Sequence, residues 1–126
     1  MKRIGILTSG GDAPGMNACI RAVVRRATLR GISVVGYLDG FQGFVENRYL
    51  KLDDRSVGNI IHRGGTFIGT ARCKSFHEPE VRARSVAQMR DAGVEGLVVV
   101  GGDGSFRGAL ALEAEHGVAV AGAPGT

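Results

Sequence analysis

The segment Gly101-Gly102-Asp103-Gly104-Ser105 follows four consecutive apolar residues, Leu97 to Val100. A carboxylate inside such a glycine turn is not there for packing, and two readings compete for it. In one, Asp103 holds a divalent cation through water while the amides of Gly104 and Ser105 meet phosphate oxygens. In the other, Asp103 caps a helix and the glycines only shape the turn. A second pair, Gly10-Gly11, follows the apolar run Ile4-Gly5-Ile6-Leu7. Bare glycine lets main-chain N–H groups face an anion, and it equally serves a tight turn with positive φ. No Walker-type lysine follows. Arg72 lies in Gly69-Thr70-Ala71-Arg72-Cys73, just after the pair Gly64-Gly65. A guanidinium in a loop suits bidentate phosphate contact, and a solvated surface arginine is the plain alternative.

Other reactive side chains form no set. Arg21 and Arg25 are one helical turn apart, as are Arg26 and Arg30. A solvated helix face is the ordinary meaning of such pairs, and an anion site is the alternative. His62, His77 and His116 are dispersed and show no metal-ligand spacing. Cys19 and Cys73 stand far apart in no metal or redox pattern, so reduced thiols in a cytoplasmic protein are expected.

The elements that must position these residues follow from periodicity. Ile4–Leu7 reads as a buried strand. Met16, Cys19, Ile20, Val23, Val24 and Ala27 recur at helical spacing, and Gly31 is a natural stop. Residues 32–38 are β-branched and apolar, hence a second strand. Residues 39–46 predict a short helix, 49–52 a short strand, and 53–62 a helix capped by Asp53 or Asp54. Residues 63–66 predict a turn. Pro79 opens a helix that Gly93 ends. Leu97–Val100 reads as a strand buried on both faces. A helix over 106–116 and a strand over 118–121 complete the chain, the strand running into a glycine-rich turn. Alternating strands and helices predict an α/β fold, a parallel sheet with helices on both faces. In such sheets ligands bind beyond the carboxyl ends of the strands. The turns after Leu7, after Val100 and after Ala121 all fall at that edge.

Composition narrows the partners. The chain has 126 residues, 44% of them hydrophobic and 22% charged, which suits one folded domain. Glycine is the outlier at 21 residues, without collagen-like period. The formal charge of +4 permits a polyanionic partner. The basic residues are scattered, however, and aromatics are only 6%, so no stacking platform for nucleic acid is expected. Small phosphorylated ligands explain a modest excess equally well. No apolar run approaches a membrane span or a signal-peptide core, so no membrane partner is expected.

Residues 4–25, IGILTSGGDAPGMNACIRAVVR, resemble the amino terminus of the bacterial ATP-dependent 6-phosphofructokinase family. RGGTFIGTAR (63–72), VVVGGDGS (98–105) and GAPGT (122–126) continue the resemblance in order along the whole chain. It implies a phosphofructokinase-type nucleotide-binding domain in residues 1–126. It also implies transfer of the ATP γ-phosphoryl group to the 1-hydroxyl of fructose 6-phosphate, a step of glycolysis, with Mg²⁺ as cofactor. By resemblance, Gly11 contacts the ATP phosphates through its backbone. Arg72 and Cys73 lie along the nucleotide, with Arg72 stabilising the transferred phosphoryl group. Gly102, Asp103, Gly104 and Ser105 cradle ATP, Asp103 serving the metal, and Thr126 touches the substrate. Arg21 and Arg25 match the arginines that hold an allosteric effector's phosphate. Further along that effector site, Asp54 and Asn59 stand where the family carries arginine and aspartate. Gly104 and Gly125 match the ATP-using rather than the pyrophosphate-using branch. The resemblance further implies a homo-oligomer, tetrameric in the intact family. The family motif continues past Thr126 to the aspartate that serves as general base, and a second, sugar-phosphate domain follows it. The expectation is therefore an amino-terminal fragment, inactive alone. A non-catalytic nucleotide-binding or interaction module is the alternative.

Overall fold

The computed structural model describes residues 1–11, 15–58 and 65–124. The elements run β1 (Arg3–Thr8), α1 (Met16–Leu29), β2 (Ser33–Tyr37), α2 (Phe41–Glu46), β3 (Tyr49–Leu52), a 3-10 turn (Lys74–His77), α3 (Pro79–Asp91), β4 (Gly96–Gly101), α4 (Asp103–His116) and β5 (Ala119–Pro124). They form one five-stranded sheet in the order β3-β2-β1-β4-β5. The fold class expected from the sequence holds, with one modification. Strands β2, β1, β4 and β5 are parallel, whereas edge strand β3 runs antiparallel to β2. The sheet is therefore mixed. The connection from β2 to β3 explains this. It holds only short α2, and left-handed residues on either side, Asp39 (φ 58°) and Asn47 (φ 57°), turn the chain back on itself. A parallel return needs a longer crossover.

Alternation along the central strands builds two cores. On one face Leu7, Val35, Tyr37, Leu97 and Val99 pack under α2, α3 and α4. On the other, Ile6, Val34 and Val100 meet Met16, Ile20, Val24 and Ala27 of α1. Each fully buried aliphatic side chain contributes roughly 1.5–3 kcal/mol. Among the described residues no helix is long and apolar enough to cross a membrane.

Three sequence expectations are refined. α4 begins at Asp103 rather than Phe106. β5 does not end at Ala121: it continues through Gly122 and Ala123 to Pro124, paired with Val99, Val100 and Gly101. Gly122 is needed there for room, since a Cβ would lie 2.9 Å from the Phe106 ring. Proline is tolerated at the end of an edge strand because no ladder donor is required of it. Residues 122–124 of the glycine turn expected after Ala121 are therefore strand, and the rest of that turn lies outside the described residues. Of the helix expected over 53–62, residues 54–58 form turns. The Asp53 carboxylate accepts the Ser56 amide (2.9 Å) and the Ser56 hydroxyl accepts the Asp53 amide (2.8 Å), a reciprocal pair that here closes a turn rather than the helix expected to be capped by Asp53 or Asp54. The rest of that segment, and Arg63 and Gly64 of the expected turn, lie outside the described residues.

Two contacts generate predictions. A Cβ on Gly43 of α2 would fall 1.7 Å from the Leu38 carbonyl oxygen. Gly43→Ala should lower the unfolding free energy in urea by on the order of 3 kcal/mol. Gly58→Ala, whose Cβ would meet its nearest neighbour at 3.5 Å, should stay within about 0.5 kcal/mol of the parent. Arg82 of α3 donates to both carboxylate oxygens of Glu115 on α4 (2.8 and 2.7 Å) and to the Phe76 carbonyl (2.7 Å). Hydrogen bonds from Arg82 hold the Glu115 carboxyl below the ordinary glutamate range. A depressed carboxylate contributes stability that is present above its unfolded value and lost as pH falls through the folded one. NMR titration of the Glu115 carboxyl carbon should show this low midpoint, and Arg82→Gln should return it to the ordinary range.

Candidate functional site

The site is organised by the last residues of β1. Beyond the Thr8–Val100 register, the Ser9 amide donates to the Val100 carbonyl at 2.9 Å, carrying the β1–β4 ladder past the end of the strand. Ser9 therefore sits against the turn that leaves β4. At Gly101 a Cβ would lie 2.5 Å from Ser105 Oγ and 2.7 Å from the Ser9 carbonyl oxygen, so only glycine allows this approach. Gly10 adopts φ 85°, a left-handed conformation that favours glycine. Gly10 and Gly101 thus have internal reasons to be glycine.

Gly11, Gly102 and Gly104 have none. Among the described residues a Cβ at any of the three would meet nothing within 4 Å, and none has positive φ. Gly104 lies in the first turn of α4, and glycine has a lower helix propensity than alanine. All three are exposed. Side-chain-free backbone is being kept where the fold does not require it, and it is kept on one rim.

The amino end of α4 supplies the electrostatics. Its cap, Gly102, is extended (φ −117°, ψ −162°) and makes no side-chain cap hydrogen bond. The helix-capping reading of Asp103 is therefore not what the fold uses: Asp103 is the first helical residue, exposed, with a carboxylate free of cap duty. Amides at the start of a helix have no intrahelical acceptor and attract anions, aided by the helix dipole. Ser105 is buried behind them, 6% exposed.

The third component is the loop that carries Arg72. Thr8, fully buried at the end of β1, bonds through Oγ1 to Thr66 Oγ1 and donates to the Gly69 carbonyl, both at 2.9 Å. Asn17, 1% exposed at the start of α1, accepts the Phe67 amide through Oδ1 and donates its backbone N–H to the Gly65 carbonyl, both at 2.8 Å. The Asp39 amide donates to Ile68 O at 2.8 Å. The loop is thereby pinned to the same rim, and Arg72 leaves it exposed, with no carboxylate partner among the described residues. Cys73, half-buried, turns toward the apolar cluster beneath α4, its Sγ 3.4 Å from Ser75 Oγ. Phe41 and Phe76 stack at 4.3 Å and lie under Gly108 of α4, where a Cβ would be 3.1 Å from either ring.

Sequence reasoning missed Thr8 and Asn17. Asn17 could have been found, because it occupies the buried stripe 17, 20, 24, 27 of α1, where a polar side chain requires a partner. Thr126 lies outside the described residues. Arg21 and Arg25 sit on α1 rather than at the rim. Arg25 is exposed, while Arg21 is half-buried with a shielded Nε that has no partner among the described residues. Burial pushes the Cys19 thiol up, away from reactivity at neutral pH. Among the described residues no three His, Cys, Asp or Glu side chains cluster as a metal centre. A cleft of about 530 Å³ opens at the opposite sheet edge, beside Lys2, Arg90, Gly93, Glu95 and Gly117. It lies away from the strand ends where open backbone and helix dipole coincide.

The family model for phosphofructokinase matches residues 3–126. The chain is 56% identical over all 126 residues to ATP-dependent 6-phosphofructokinase 1 of Thermus thermophilus. It is 53% identical over the same length to ATP-dependent 6-phosphofructokinase of Macrococcus caseolyticus. In both comparisons the chain spans 39% of the relative's length. The solved phosphofructokinase of Pichia pastoris superposes with a TM-score of 0.93 at 38% identity, over 99% of this chain and 16% of that one. A pyrophosphate-dependent phosphofructokinase of Marinobacter aquaeolei shares the fold, with a TM-score of 0.80 at 20% identity, over 98% of this chain and 33% of that one. The rim of open glycines and the matched sequence point the same way: the chain belongs to the phosphofructokinase family.

Proposed function

We propose that residues 1–126 are the ATP-binding part of a 6-phosphofructokinase, serving transfer of the ATP γ-phosphoryl group to the 1-hydroxyl of fructose 6-phosphate. The observation that carries this reading is the placement of three glycines without internal purpose, Gly11, Gly102 and Gly104, around the amino end of α4. A triphosphate is the ligand that needs bare amides, a helix dipole and a nearby guanidinium together.

Each residue then has a task. The Gly11 backbone approaches the phosphates from the β1 side. The amides at Gly102, Asp103, Gly104 and Ser105 receive them from the β4 side. Arg72 neutralises charge on the transferred phosphoryl group, and Cys73 borders the nucleotide. Asp103 is suited to hold Mg²⁺ through water: an exposed carboxylate with no ion-pair partner among the described residues matches a cation that arrives on the nucleotide and needs one or two protein oxygens. Bound there, the ion would offset phosphate charge. The chain's own contribution is alignment and charge neutralisation, the two effects on which phosphoryl transfer chiefly relies. Thr126 is proposed to meet the acceptor, Arg21 and Arg25 to hold an effector phosphate, and the intact protein to be a cytoplasmic homo-oligomer.

Isothermal titration with Mg·ATP tests the nucleotide site. The chain should bind, and Asp103→Ala should weaken binding about tenfold. Gly104→Ala separates function from folding: with open space and helical φ it should raise stability by about 0.5–1 kcal/mol while weakening Mg·ATP about tenfold. Unchanged affinity in both variants would refute the site. A coupled assay with fructose 6-phosphate separates the transferase from a module that binds nucleotide without transferring phosphate.

A further inference from the structure

We infer that Thr8 is a positioning residue: its hydroxyl fixes the Arg72 loop against the strand whose next residue fixes the α4 turn. The importance of this placement for nucleotide binding rests on the function proposed above. The clamp itself is a statement about the fold.

Thr8 is wholly buried, and a buried hydroxyl must be satisfied. The same β1 strand already supplies backbone partners on both sides, β2 and β4, so the hydroxyl is spare for a third element. It spends both of its bonds on the segment before Arg72, meeting Thr66 Oγ1 and Gly69 O at 2.9 Å each. Gly69 has φ 81°, and a Cβ there would lie 2.5 Å from Asp39 Oδ1, so the loop can enter this seat only with glycine at that point. Gly40 is confined likewise, its Cβ position 2.7 Å from the Thr8 carbonyl oxygen and 3.8 Å from the Ala71 amide nitrogen. Residue 8 is thus held from two sides, its carbonyl against the turn after β2 and its hydroxyl against the loop that leads to Arg72. The neighbouring Ser9 amide holds Val100. The last residue of β1 and the residue after it thereby set the distance between the loop's guanidinium and the amides of α4. Val at position 8 would keep the shape and lose both bonds, and Ser would keep the bonds.

The test compares amide hydrogen exchange by NMR in the parent chain, Thr8→Val, Thr8→Ser and Thr66→Val. The Phe67 and Asp39 amides, both hydrogen-bonded in the clamp, should exchange about tenfold faster in Thr8→Val and about threefold faster in Thr66→Val. Thr8→Ser should match the parent, and amides of β4 and α4 should not change in any variant. Mg·ATP affinity should fall about tenfold in Thr8→Val and be restored in Thr8→Ser. Unchanged exchange in Thr8→Val, an equal rise throughout the molecule, or no rescue by serine would overturn the clamp. If Thr8→Val does not fold, Thr66→Val, altered at a half-exposed position, decides it. A parent chain that does not bind Mg·ATP overturns the nucleotide reading alone, because exchange still decides the clamp.

Discussion

The arrangement depends on one short contact, the Ser9 amide on the Val100 carbonyl at 2.9 Å. It draws the exits of β1 and β4 together so closely that Gly101 has no room for a side chain. Adjacent parallel strands always end near one another. Here the ladder is carried one residue further, so both turns begin from a common fixed point. The opposed faces of the sheet then do separate work. α1 covers one core, while α2, α3 and α4 cover the other. The rim between them is left to backbone.

Glycine at this rim answers two different needs. Gly10, Gly40, Gly69 and Gly101 are required by the protein itself, through positive φ or a neighbour that a Cβ would strike. Gly11, Gly102 and Gly104 are not. The first group closes the loops onto the sheet, and the second keeps the resulting surface bare. A fold optimised only for stability would place alanine at Gly104, at the start of a helix. That it does not is the physical argument for a ligand that approaches main chain closely.

Much of this was legible before any coordinates. The uninterrupted run Leu97–Val100 announced a strand covered on both sides, and the spacing from Met16 to Ala27 announced α1. The cluster at 101–105 announced the turn that leaves β4 at the rim. The direction of β3 was not legible, because Asp39 and Asn47 adopt left-handed conformations that their types permit but do not demand. The start of α4 was misplaced by three residues, since two glycines within a turn hide a helix that begins at Asp103. The 3-10 turn at Lys74–His77 was invisible because its support is tertiary, the Phe41–Phe76 stack and the Arg82 bond to the Phe76 carbonyl. Thr8 looked like the first polar residue of a turn, whereas it is the last buried residue of a strand. Long-range partners, not local preference, gave it that place.

The most direct measurement is chemical-shift mapping of the chain's amides during titration with Mg·ATP. The account predicts perturbations concentrated at Ser9–Gly11, Arg72–Cys73 and Gly102–Phe106, the three strips of one rim. Perturbations centred instead on Lys2, Arg90, Gly93, Glu95 and Gly117, around the cleft at the far edge of the sheet, would contradict it.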